Sequence, residues 1–143
     1  MKSLYYFIVK PLNDRYDNTR TVAGTDLIIN SGIEDHRFIS KKAVVVSTPA
    51  AYTTKINIGD ELYIHHNIFR RWYEQKGKER NSSTHFKDDL YFVSLEQIYM
   101  YNLKTHLDYC FVKPLKNQSV LENRKEQPNV GIVKYSNKSL EIN

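Results

Sequence analysis

Apolar residues come in short runs along this chain, separated by polar stretches. Leu4–Val9 is the first run, and Lys10-Pro11 is expected to stop it, because proline removes a ladder donor. Ala43–Ser47 is a run of valines closing near Pro49 and reads as a buried strand. Asn57-Ile58-Gly59-Asp60 carries turn chemistry, and Glu61-Leu62-Tyr63-Ile64-His65 then alternates as a strand does. Leu90–Val93 and Ile98–Tyr101 read as further strands. Between them Ser94 can cap a single helical turn, with Gln97 at the spacing of a capping box. No stripe of period 3.6 is sustained anywhere, so the expected fold class is all-β.

Two polar stretches interrupt this series. Thr19–Lys42 surrounds one aliphatic island, Leu27-Ile28-Ile29. That island reads either as an exposed tip in a loop or as an ordinary core strand, since short apolar runs are ambiguous. Residues 67–88 are polar, with Phe69 and Trp72 embedded. Arg70, Arg71 and Trp72 mix basic and aromatic groups as single-strand nucleic-acid platforms do. The plainer reading is a packed Trp72 beside an exposed arginine pair.

An internal repeat lies across the map. Tyr6-Phe7-Ile8-Val9-Lys10-Pro11-Leu12 recurs as Tyr109-Cys110-Phe111-Val112-Lys113-Pro114-Leu115, and Ala43–Ser47 is echoed by Gly131–Tyr135. Ile142-Asn143 matches Ile56-Asn57, so the second copy breaks off part-way and lacks a counterpart of residues 27–29. The expected division is one domain over residues 1–103, with a mobile loop at about 19–42, and an incomplete repeat over 104–143. A fragment of a longer two-domain protein is preferred to a half-sheet completed by a partner.

Composition adds bounds. Apolar residues at 41% and charged residues at 26% allow a packed core, and eleven Tyr with six Phe favour strands. A net charge of +5 permits weak binding to polyanions without establishing it. The single cysteine, Cys110, can form no internal disulfide, which suits a reducing compartment, and it reads as a small core residue. No stretch approaches the roughly 18 apolar residues that span a bilayer, and the first residues lack a signal-peptide pattern. A soluble intracellular protein is expected. Adjacent His65 and His66 on a strand would point to opposite faces and could not share a metal. Asp14, Asp88 and Asp89 read as turn residues. With no phosphate-binding glycine loop, nucleophile elbow or metal motif, no catalytic residue, metal or cofactor is expected.

The order of elements resembles the GroES-like small co-chaperonin family over roughly residues 4–102. It runs from a first strand through a long polar loop with an aliphatic trio, a valine-rich strand and the Ile56-Asn57-Ile58-Gly59-Asp60 turn. A hairpin then leads to Asp88-Asp89, Leu90-Tyr91-Phe92-Val93, the Ser94 turn and a final strand. The segment His65–Trp72 and the duplicated tail are similar to phage-encoded members. The resemblance implies a partly open β-barrel and a homo-oligomeric ring, seven subunits in this family. It also implies a mobile loop whose tip, here Leu27, Ile28 and Ile29, docks on a GroEL-like host chaperonin in the host cytoplasm. A phage client protein would fold beneath such a lid. Two departures stand out: Ser47–Lys55 is too short for the family's roof hairpin, and residues 65–88 are longer than its usual hairpin. The principal rival is a virion or assembly protein built on the same barrel. The weakest alternative is a single-stranded nucleic-acid-binding barrel using Arg70, Arg71 and Trp72.

Overall fold

The computed structural model describes residues 1–116 and 126–137. The chain forms two compact units, Met1–Asn102 and Leu103–Asn143. It is all-β, and its helical content among the described residues is two 3₁₀ turns, at His66–Ile68 and Leu95–Gln97.

The first unit contains β1 (Phe7–Pro11), β2 (Thr19–Val22), β3 (Thr25–Ile28), β4 (Lys42–Ser47) and β5 (Glu61–Ile64). It continues with β6 (Arg71–Tyr73), β7 (Glu79–Asn81), β8 (His85–Lys87), β9 (Leu90–Val93) and β10 (Ile98–Tyr101). Antiparallel pairing sets the order β10-β5-β4-β1-β9-β8, and β2-β3 and β6-β7 are separate two-stranded ribbons. One face of the large sheet is packed. Leu62 and Ile64 of β5 point into it while Glu61 and Tyr63 point away, the alternation expected of a half-buried strand. Phe7, Val9, Val45, Tyr91, Val93 and Ile98 join them, and Ile56, Ile68 and Phe69 close the core from the connections. Phe69 meets Tyr91 edge to face at 5.0 Å.

Several local expectations are met and several are corrected. Gln97 Oε1 accepts the Ser94 backbone N–H at 3.0 Å, closing the turn between β9 and β10 as the spacing implied. Asp60 Oδ2 accepts the Asn57 N–H at 2.8 Å, and Gly59 takes the left-handed φ of +90° that this turn requires. Leu4, Tyr5 and Tyr6 lie outside the first strand and are exposed. The strand instead starts at Phe7 and runs into Pro11, opposite Ala43. The valine strand is half-buried rather than buried: Ala43, Val45 and Ser47 face inward and Val46 faces out. Branched residues suit a pleated surface on either face, so the unbroken run concealed the alternation. No strand lies between β4 and β5.

The second unit holds β11 (Lys104–Thr105), β12 (Phe111–Lys116) and β13 (Glu126–Tyr135). Its β12–β13 pairing copies β1–β4. Val9↔Val45, Lys10↔Val44 and Pro11↔Ala43 become Val112↔Val133, Lys113↔Ile132 and Pro114↔Gly131. The register shift between Ile8 and Val9 recurs between Phe111 and Val112. The sequence repeat is therefore a repeat of one bulged ribbon. Its surroundings differ, because β9 and β5 flank β1 and β4, whereas β12 and β13 pair only with each other among the described residues. Val9 is fully buried, but Val112 is 53% and Ile132 50% exposed. Cys110 is half-buried. The Ile142-Asn143 match lies outside the described residues.

Candidate docking ribbon and basic surface

Residues 19–28 form a hairpin, with Thr19↔Ile28, Arg20↔Leu27, Thr21↔Asp26 and Val22↔Thr25 in register. Its turn residues, Ala23 at φ +51° and Gly24 at φ +81°, are both left-handed, as tight hairpin turns require. The base is tied down. Ile29 N–H donates to the Asn18 carbonyl at 2.8 Å, and Asn18 Nδ2 donates to the Asn30 carbonyl at 2.8 Å. Below that, Asp17 N–H donates to the Phe38 carbonyl, and buried Tyr16 bridges buried Ile39.

Every residue of β2 and β3 is exposed. Leu27 is 49%, Ile28 70% and Ile29 45% exposed, so the trio lies outside the core. An irregular loop with the trio at its tip is corrected: the tip is Ala23-Gly24, and the trio lies on and just beyond the returning strand. The Thr and Val content of 19–22 suits a strand, but its polarity disguised it as loop. On a ribbon, neighbours alternate faces and opposed residues share one. Leu27 therefore sits with Arg20 and near Val22, while Ile28 sits with Thr19 on the other face. Val22, 56% exposed, is a member of the apolar patch that sequence reasoning missed.

The rest of the 19–42 segment makes contacts of its own. Ile33 packs on the core, and Asp35 pairs with Arg37 at 2.7 Å. Hydrogen bonds from Arg37 hold the Asp35 carboxyl down at about 2.

Arg70, Arg71 and Trp72 each have a partner within the chain. Arg71 pairs with Glu79 at 3.0 Å and lays its guanidinium 4.7 Å from the centre of the Tyr16 ring. Arg70 reaches Glu34 at 4.0 Å. The Trp72 indole N–H donates to the Asn81 carbonyl at 3.2 Å, bracing the β6–β7 hairpin. Each arginine already has a carboxylate, which argues against an open track for a polyanion.

The histidine reading is corrected. β5 ends at Ile64, and His65 caps the following 3₁₀ turn, its Nδ1 accepting the Asn67 N–H at 3.1 Å. The His65 and His66 rings therefore stack, 4.4 Å apart, with His36 5.5 Å from His66. Burial lowers the His66 pKa, helped by His65, His36, Lys41 and Arg70. Among the described residues no group of three or more metal-type ligands is assembled, and no helix is long and apolar enough to cross a membrane.

Compared with known protein families, with curated proteins and with solved structures, the chain matches none.

Proposed function

We propose that this protein is a phage-type GroES-like co-chaperonin, a ring-forming lid that docks its β2–β3 ribbon on a host chaperonin while a phage protein folds beneath it. The observation that carries the reading is the exposure of Leu27, Ile28 and Ile29 on a ribbon that the core does not need. The ordered resemblance along residues 4–102 supports it. Fully burying a Leu or Ile contributes about 1.5–3 kcal/mol, and these three have roughly half or more of that still to gain. Their sum, about 3–5 kcal/mol, is close to the minimum cost of association, so one ribbon binds weakly. Identical ribbons around a ring multiply that into firm but releasable docking. A hydrogen-bonded ribbon also loses less conformational freedom on docking than an irregular loop would. The strandless link between β4 and β5 fits a lid without a built roof. On this reading the protein acts by binding, with no catalytic step of its own.

The test uses Ile28→Asp and Leu27→Asp, one on each face of the ribbon, with chaperonin pull-down in the presence and absence of nucleotide. Binding is expected to be lost in at least one variant, while the melting midpoints stay near wild type, since exposed positions change stability within about 0.5 kcal/mol. Undiminished binding in both variants, or a collapsed midpoint, overturns the reading.

A further inference from the structure

The two copies of the repeated ribbon differ in what covers their edges. In the first unit β5 adds to the outer edge of β4, with Ala43↔Leu62 and Val44↔Glu61 in register, and β9 adds to β1. Both added strands belong to the same kind of string, an acidic pair followed by Leu-Tyr and then apolar residues. It reads Asp60-Glu61-Leu62-Tyr63-Ile64 at β5 and Asp88-Asp89-Leu90-Tyr91-Phe92 at β9. One ribbon thus takes the same complement twice. In the second unit β12 and β13 pair only with each other among the described residues. A two-stranded ribbon is marginally stable by itself in water, and further strands are what complete it.

The open edge of β13 keeps the hydrogen-bonding layout of β4. Val45 N–H donates to the Asp60 carbonyl at 3.0 Å, and the Val45 carbonyl accepts the Gly59 N–H at 2.8 Å. Val45, and Ala43 two residues before it, therefore turn their backbone polar groups toward β5. Because β12–β13 repeats the register of β1–β4, Gly131 and Val133 turn theirs to the open edge. The faces carry over as well. A strand placed as β5 is placed sets its Leu opposite Gly131, on the face of Val112, which is 53% exposed. With no side chain at 131, Val112 Cγ1 fills the space of a Cβ there and meets that Leu. The Tyr of the added strand comes opposite Val130 and its acidic residue opposite Ile132, both about half exposed. One edge position differs in charge. Lys134 stands where β4 has Val46, on the face of Ile132 and diagonal to the acidic position, within reach of a long side chain.

We propose that the edge of β13 over Val130–Val133 binds an extended segment of another protein, an acidic pair followed by Leu-Tyr-apolar, as an added antiparallel strand. Backbone bonds at Gly131 and Val133 supply affinity, and Val112, Ile132 and Lys134 supply selection. A folded second copy cannot serve, because its β5 lies between β10 and β4 and its β9 between β1 and β8. The site takes nothing from the β2–β3 ribbon, so the proposal stands apart from chaperonin docking.

The probe is a fluorescein-labelled peptide with the sequence of Gly59–His65, added to the whole chain and followed by anisotropy and amide hydrogen exchange. It is expected to bind with a dissociation constant below about 1 mM, and to slow exchange at Gly131 and Val133 while Ala43 and Val45 keep their rates. Lys134→Glu should weaken the peptide about tenfold, by turning attraction into repulsion. The same peptide carrying Glu61→Lys should recover most of that loss, a reversal that damage to the fold would not give. Val133→Pro removes one edge donor, a change that edge strands tolerate, and should abolish binding; if that variant fails to fold, the charge reversal decides alone. No binding at about 1 mM, or equal binding of a scrambled peptide, overturns the proposal. So does protection that falls on Ala43 and Val45, the sign of exchange into the first unit. A chain that is dimeric alone and monomeric with peptide assigns the edge to a second copy, and overturns it as well.

Discussion

Gly131→Ala restores the residue that the first copy of the ribbon carries, since Ala43 faces Pro11 as Gly131 faces Pro114. Two effects of opposite sign then compete. Replacing glycine in a compatible extended backbone gains about 0.4–1 kcal/mol, by reducing the freedom of the unfolded chain. Against that, a Cβ at 131 would overlap the Val112 Cγ1 methyl and come within 3.0 Å of the Lys113 carbonyl oxygen. Val112 is stiff at χ1, and the carbonyl belongs to the backbone, so neither yields freely. Overpacking of this kind costs about 1–3 kcal/mol. The net expectation is a loss of about 1 kcal/mol, roughly a fivefold rise in the open population of the ribbon. Amide hydrogen exchange is the right assay, because it reads local opening rather than global unfolding. Val112 and Lys113 amides should exchange about fivefold faster, with those of β1 and β4 unchanged. Adding Val112→Ala should recover part of the loss, a coupling between neighbours. Slower exchange in Gly131→Ala would refute the reasoning, since Gly131 could not then lie against Val112.

Further outcomes follow from the core and from titration. Phe69→Ala removes a fully buried ring packed on Tyr91 and should cost about 3–5 kcal/mol in urea unfolding; a loss under about 1 would exclude residues 65–88 from the core. Tyr16→Phe deletes a hydroxyl that donates to the Ile33 carbonyl and accepts the Arg71 N–H at 2.9 Å. Its expected cost is about 1–3 kcal/mol, and an unchanged melting midpoint would show those bonds to be dispensable. The folded state resists protonation of His66, so as pH falls below the ordinary value of 6.5 the unfolded chain binds more protons. Stability should be level above 6.5 and decline below it, and His66→Gln should flatten that decline. A separate acid loss is expected between 3.8 and about 2, as Asp35 protonates and releases Arg37, and Asp35→Asn should remove it.

What the sequence disclosed is chemistry between near neighbours. The Asn57–Asp60 turn, the Ser94–Gln97 closure and the alternation of Glu61–Ile64 each depend on residues within a few positions of one another. The repeat was legible because identical strings favour identical pairing. Contacts between distant positions were not. Nothing local to Arg15 or Arg71 announces that one cleft joins them. The faces of Val44 and Val46 depend on which side the core covers. His65 and His66 stack because the strand ends one residue earlier than its alternation suggests. The ribbon at 19–28 escaped because its strands are polar and its apolar residues stay outside the core.

The duplicated ribbon also bears on how the chain finds its fold. β1 and β12 carry nearly the same string and meet their partners in one register with one bulge. While the chain collapses, β4 is therefore offered two suitors, and β13 is as well. The mispaired β12–β4 closure spans about twice the chain length of the native β1–β4 closure, which disfavours it by only about 0.6 kcal/mol. Discrimination must come later, when β9 adds to the free edge of β1 through Phe7↔Val93 and Ile8↔Phe92. Until that strand arrives the pairing is an open contest, and between crowded chains it becomes an exchange of strands from one molecule to the next. Refolding yield should therefore fall as protein concentration rises, and deleting residues 104–143 should restore it.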